Sequence, residues 1–122
     1  NNLSYAKVQN KSGNYIVPNI ASTSAAGNVQ LPADSKIFLG NTDAADGYPI
    51  SGFTWALIYQ EQAYNKRSQD KAQDLLKMLW WEIHDGQQYC HGLDYAPLSP
   101  AAVTIAENIL KSATYNGKAI LQ

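Results

Sequence analysis

From Ile50 to Tyr59 the chain carries no charge, and Phe53, Thr54, Trp55, Leu57, Ile58 and Tyr59 are mostly β-branched or aromatic. That composition suits a pleated, packed surface and predicts a strand. Without polar alternation, such a strand is expected to be covered on both faces, in the middle of a sheet. Its neighbours in that sheet must come from somewhere, and the rest of the sequence supplies few of them.

Two amphipathic helices follow. Ser68 is a capping hydroxyl, Asp70 suits the positive end of a helix dipole, and Ala72, Leu75, Leu76, Leu79, Trp80 and Ile83 recur at three- and four-residue steps. A helix to about His84 is expected, ended by Asp85-Gly86. Ser99-Pro100 opens the second helix, to about Ala113, with Val103, Ala106, Ile109 and Leu110 as its buried stripe and Glu107 paired to Lys111. Asn116-Gly117 then turns the chain, and a short strand or tail at Ala119 to Leu121 follows.

Before residue 48 the signals are local. Leu3, Tyr5 and Val8 alternate imperfectly, residues 10–14 are turn chemistry, and Tyr15-Ile16-Val17 resumes an extended run that stops at Pro18. A loose hairpin is expected there, then a short helix over Asn19 to Ala26, stopped by Gly27 and Asn28. Residues 27–47 are polar and turn-rich apart from Ile37-Phe38-Leu39, and a boundary or crossover is placed in them. The order strand, helix, loop, helix after residue 48 points to α/β architecture.

Composition narrows the function. A chain of 122 residues, 45% hydrophobic and 16% charged, can bury a modest core. Nine basic and ten acidic residues give a net charge of -1, and Arg67 is the only arginine, so nucleic acid is not expected as a partner. The bland reading of Arg67 is a solvated residue ahead of a helix. The apolar runs fall far short of the roughly 20 residues that span a bilayer. A single cysteine, Cys90, fits the cytoplasm and the periplasm alike. A start at Asn1-Asn2, without an initiator Met or a signal-peptide pattern, gives the expectation of a trimmed or processed chain.

No constellation commits the chain to catalysis or to a metal. Cys90 and His91, oriented by Asp94, have the residue types of a thiolate nucleophile, but adjacent side chains diverge on either regular element. A small buried thiol beside a surface imidazole accounts for them. His84, Cys90, His91 and Asp94 have no paired metal-ligand spacing. Asp43, Asp46, Glu61 and Asp94 are scattered over turns, where short carboxylates are favoured locally. Ser22-Thr23-Ser24 has the hydroxyls of an anion-binding helix start but no neighbouring glycine, lysine or arginine, so capping is the simpler role. Trp80 belongs to the apolar stripe; Trp81 is open between core and a stacking surface.

In its longer motifs the chain resembles the C-terminal part of the periplasmic phosphate-binding proteins of bacterial phosphate-specific ABC transporters. The resemblance rests on Asn2-Leu3-Ser4-Tyr5-Ala6-Lys7, Gly13-Asn14-Tyr15 with Pro18, and Tyr48-Pro49-Ile50 with Trp55-Ala56-Leu57-Ile58-Tyr59. It continues through Leu79-Trp80-Trp81-Glu82-Ile83-His84-Asp85-Gly86-Gln87, Leu93-Asp94-Tyr95-Ala96-Pro97-Leu98 and Tyr115-Asn116-Gly117-Lys118. It implies an α/β, periplasmic-binding-protein-like (type II) two-lobed fold of which only the C-terminal portion is present. Residues 1–47 would be the remnant of one lobe, with extended segments, a short helix and a long loop. Residues 48–122 would be the crossover strand plus two helices of the other.

The implied function is phosphate binding for ABC-transporter-mediated uptake. The implied location is the periplasm, and the implied partners are inorganic phosphate, the membrane permease and the missing N-terminal part of the same protein. The family's phosphate-ligating hydroxyls, backbone amides, arginine and carboxylate match no position here. No catalytic residue, phosphate ligand, metal ligand or cofactor is therefore assigned, and the chain is not expected to be an enzyme. The alternative is a stand-alone protein-interaction module whose apolar helix faces bind a partner.

Overall fold

The computed structural model describes residues 4–121, so the expectations that fall on Asn1, Asn2 and Leu3 lie outside the described residues. The chain opens with a hairpin of β1 (Val8–Gln9) and β2 (Tyr15–Ile16), antiparallel, with Val8 opposite Ile16 and Gln9 opposite Tyr15. Its turn is closed by the Asn10 backbone, which donates to the Asn14 oxygen at 2.9 Å and accepts from the Gly13 amide at 2.9 Å. Gly13, at φ 86, takes the left-handed conformation that only glycine enters without cost.

Helix α1 (Ile20–Ala26) follows Pro18. Asn19 caps it, accepting from the Ser22 amide, while Ser22 accepts from the Asn19 amide: a reciprocal capping box. Residues 27–68 hold no helix. The hairpin is fastened to this region by Asn10, a buried side chain whose amide nitrogen donates to the backbone oxygens of Ala45 at 2.8 Å and Gly47 at 3.2 Å. The Tyr48 amide donates to the Ser22 oxygen at 2.9 Å, which ties the loop to α1.

Helix α2 (Gln69–Ile83) is capped by Ser68, with Asp70 in its first turn; α3 (Pro100–Lys111) is capped by Ser99, with proline at its first position. Both begin where the capping chemistry predicts. The stripe of α2 buries Ala72, Leu76 and Leu79, and α3 buries Ala102 and Leu110. Leu76, Leu79, Leu110 and Ala113 form the packed centre, with Ile58, Leu75, Trp80 and Ile83 against it. The helix-stop residues Asp85-Gly86 lead into two 3-10 turns, Asp85–Tyr89 and His91–Leu93. The last element is an antiparallel hairpin of β3 (Thr114–Tyr115) and β4 (Lys118–Ala119). Asn116 and Gly117, at φ 50 and 75, make the two-residue turn whose twist suits a hairpin.

The segment from Ile50 to Tyr59 departs from expectation. It has no regular secondary structure and, among the described residues, no ladder partner, so it is not a strand. The backbone of residues 50–58 makes no hydrogen bond to any other described residue. The nearest pairing is just beyond, a parallel bridge between Glu61 and Thr114. Nor is the segment covered on both faces: Leu57 is 96% exposed, Tyr59 68% and Trp55 47%. Side-chain type favours an extended backbone at these positions, but a strand exists only where a second strand supplies the complementary N–H and C=O groups.

Candidate functional site

An apolar groove of about 550 Å3 lies between the helices and the segment after residue 50. Leu79 and Ile83 of α2 and Ile105 and Ile109 of α3 form one wall, because the i, i+4 spacing brings each pair onto one helix face. Phe53, Trp55 and Ile58 of the unpaired segment form the other. Leu39, Gly27 and the Tyr95-Ala96-Pro97-Leu98 segment complete the lining. No lysine or arginine lines the groove, whereas the carboxylates Glu82 and Asp94 do. It thus offers a bound anion no cationic side chain among the described residues, and its chemistry suits apolar side chains.

The structure separates the residues singled out in the sequence. Cys90 and Asp94 lie on the groove lining. His91 is not on that lining; with Asp94, which lines both, it borders a more open depression that also touches Thr23 and Ser24. The Cys90 thiol is 3.8 Å from Gln87 Oε1, so its hydrogen-bond partner is an amide oxygen and not an imidazole. Gln87 Oε1 also accepts from the Leu98 amide at 2.8 Å, fastening the 3-10 turns to the segment that leads into α3. Among the described residues, no three His, Cys, Asp or Glu side chains are close enough together to hold a metal ion. Ser22 Oγ donates to the Val17 oxygen at 2.6 Å and is consumed by capping. Asp43 pairs with Lys11 at 2.5 Å on the surface.

Trp80 packs against the core as its place on the stripe predicts, and Trp81, 46% exposed, lies beside Tyr89. Arg67 corrects the bland reading. It is half-buried, donates to Gln62 Oε1 at 2.6 Å and sits 4.8 Å from the centre of the Tyr64 ring. Gln62 is fully buried, and its side-chain amide also donates to the Tyr59 oxygen.

Glu61 is the functional-type residue that the sequence undersold. One carboxylate oxygen accepts from the amides of Ala63 at 2.8 Å and Asn116 at 2.9 Å. The other accepts from the Gly117 amide at 3.0 Å and the Thr114 hydroxyl at 2.9 Å. The Ala63 amide, followed by that of Gly117, draws its pKa down to about 2, because each donor favours the charged form. With every lone pair directed at the chain's own turn, this carboxylate fastens the C-terminal hairpin and is no free acid or base. Only the Asn116-Gly117 turn was a signal for it, since apart from the nearby Ala63 amide its partners lie 53 to 56 residues away.

No family model matches this sequence. No helix among the described residues is long and apolar enough to cross a membrane.

Proposed function

We propose that this chain is the C-terminal portion of a two-lobed, α/β periplasmic phosphate-binding protein, type II in topology, which serves an ABC-transporter permease. The observation that carries the proposal is the segment Ile50 to Tyr59. Its side chains are those of a central strand, its backbone at 50–58 has no partner among the described residues, and Leu57 is almost wholly exposed. A strand of this kind is at rest only when flanked by others, and in this reading the flanking strands belong to the N-terminal part of the same protein. The ordered motifs from Tyr48-Pro49-Ile50 to Tyr115-Asn116-Gly117-Lys118 support the same assignment. The proposal divides the chain at residues 47 and 48 between the two lobes.

Phosphate would be held by groups outside these residues. The groove fits that division, since among the described residues no lysine or arginine lines it to hold an anion. The chain alone is therefore expected to give no calorimetric signal with millimolar phosphate. Mixing it with the N-terminal portion of such a protein restores 1:1 binding. Micromolar phosphate binding by the chain alone, or no binding after mixing, overturns the proposal.

The groove favours a second reading, a stand-alone module that receives an apolar protein surface. It gains support if mixing leaves phosphate binding absent while the chain still captures an amphipathic helix in the groove.

A further inference from the structure

The C-terminal end of α2 is joined to α3 by a polar network that neither reading of the function uses. His84 Nδ1 lies 2.8 Å from the Trp80 backbone oxygen, and its Nε2 lies 2.9 Å from Glu107 Oε1. Both partners are acceptors: a carbonyl oxygen has no proton to give, and an ionised carboxylate has none either. A neutral imidazole carries one N–H and satisfies one of the two contacts, leaving a lone pair aimed at oxygen in the other. Only the doubly protonated ring satisfies both.

The surroundings favour that cation. The His84 ring stacks on the Trp80 indole with centroids 4.7 Å apart and planes 25° from parallel, an arrangement in which an aromatic face attracts positive charge. Lys111 Nζ lies 5.1 Å from the same indole and bonds the other Glu107 oxygen at 3.0 Å. The charged groups around His84 are thus Glu107 on α3, Asp85 in the turn after α2, and Lys111, which engages the second Glu107 oxygen. The carbonyls at the end of α2 add the negative pole of the helix. With 30% of its side chain accessible, His84 exchanges protons with solvent.

The geometry points to a proton-dependent clamp in which doubly protonated His84 locks the end of α2 onto α3, and loss of its proton releases the joint. Ile83, the residue before His84, and Ile105 and Ile109 of α3 line the groove, so the joint governs one groove wall. The carbonyl of Trp80, then the bond to Glu107, raise the His84 pKa above 6.5. Bonds from Lys111 and then from His84 lower that of Glu107. A raised folded-state pKa sets the sign: the clamp's stabilisation is complete below pH 6.5 and disappears as pH rises through the raised value.

The test is a pH titration of the histidine ring resonances of the full chain by NMR, with His84 assigned from a His84→Gln variant. The expected midpoint lies above 6.5, falls in Glu107→Gln and rises in Lys111→Met, where Glu107 is left to His84 alone. The melting temperature should drop between pH 6 and pH 8.5 by more than it does in His84→Gln. A midpoint at or below 6.5, or one that Glu107→Gln leaves in place, overturns the clamp. Should Glu107→Gln fail to fold, a Lys111→Met midpoint that does not rise overturns it equally. These readouts are independent of phosphate and of any partner.

Discussion

Leu76 and Leu57 are the same residue in opposite surroundings, and the contrast between them tests the architecture quantitatively. Leu76 is fully buried among Leu79, Leu110 and Ala113, whereas Leu57 is 96% exposed. Truncation to alanine removes the same atoms from each. At Leu76 the lost transfer energy is about 2.4 kcal/mol, at ~0.8 kcal/mol for each of roughly three carbons. A residual cavity adds to this, but the open groove nearby lets the site collapse in part, so about 3 kcal/mol is expected in total. With a urea m-value of about 1.5 kcal/mol/M, the unfolding midpoint falls by about 2 M, read by circular dichroism at 222 nm. Leu57→Ala changes stability by less than about 0.5 kcal/mol. Equal costs at the two positions would refute the burial pattern on which the unpaired segment rests. In the two-part protein reconstituted as proposed above, the Leu57 cost should rise to about 2 kcal/mol, because a flanked strand buries that side chain.

Glu61 gives a prediction in acid. Its carboxyl is held near a pKa of about 2 against an ordinary value of 4.5, so its stabilisation is present above pH 4.5 and is lost as pH falls towards 2. Thermal melts between pH 2 and 6 should show a steep acid limb that flattens in Glu61→Gln; an unchanged limb contradicts the role given to it. Asn10→Ala should cost about 2 kcal/mol, since the Gly47 oxygen loses its buried donor and the Ser12 and Asn14 amides lose Asn10 Oδ1 as acceptor, and urea unfolding measures it.

What the sequence determined by itself is local. Ser68 and Ser99 announce α2 and α3 because a capping hydroxyl acts on an amide three residues ahead, and the three- and four-residue spacing of Leu75, Leu76, Leu79 and Ile83 marks the buried face. The Asn10 to Asn14 turn and the Asn116-Gly117 turn are equally self-contained, since left-handed backbone selects its residues wherever it occurs. Asn10 itself, legible as turn chemistry, owes its burial to carbonyls 34 to 37 positions away. Glu61 among the hairpin amides, and His84 between Trp80 and Glu107, also depend on long-range placement that no window of sequence contains. The segment from Ile50 to Tyr59 marks the division: its side-chain types favour an extended backbone, but hydrogen-bond partners make a strand, and pairing is a property of two segments.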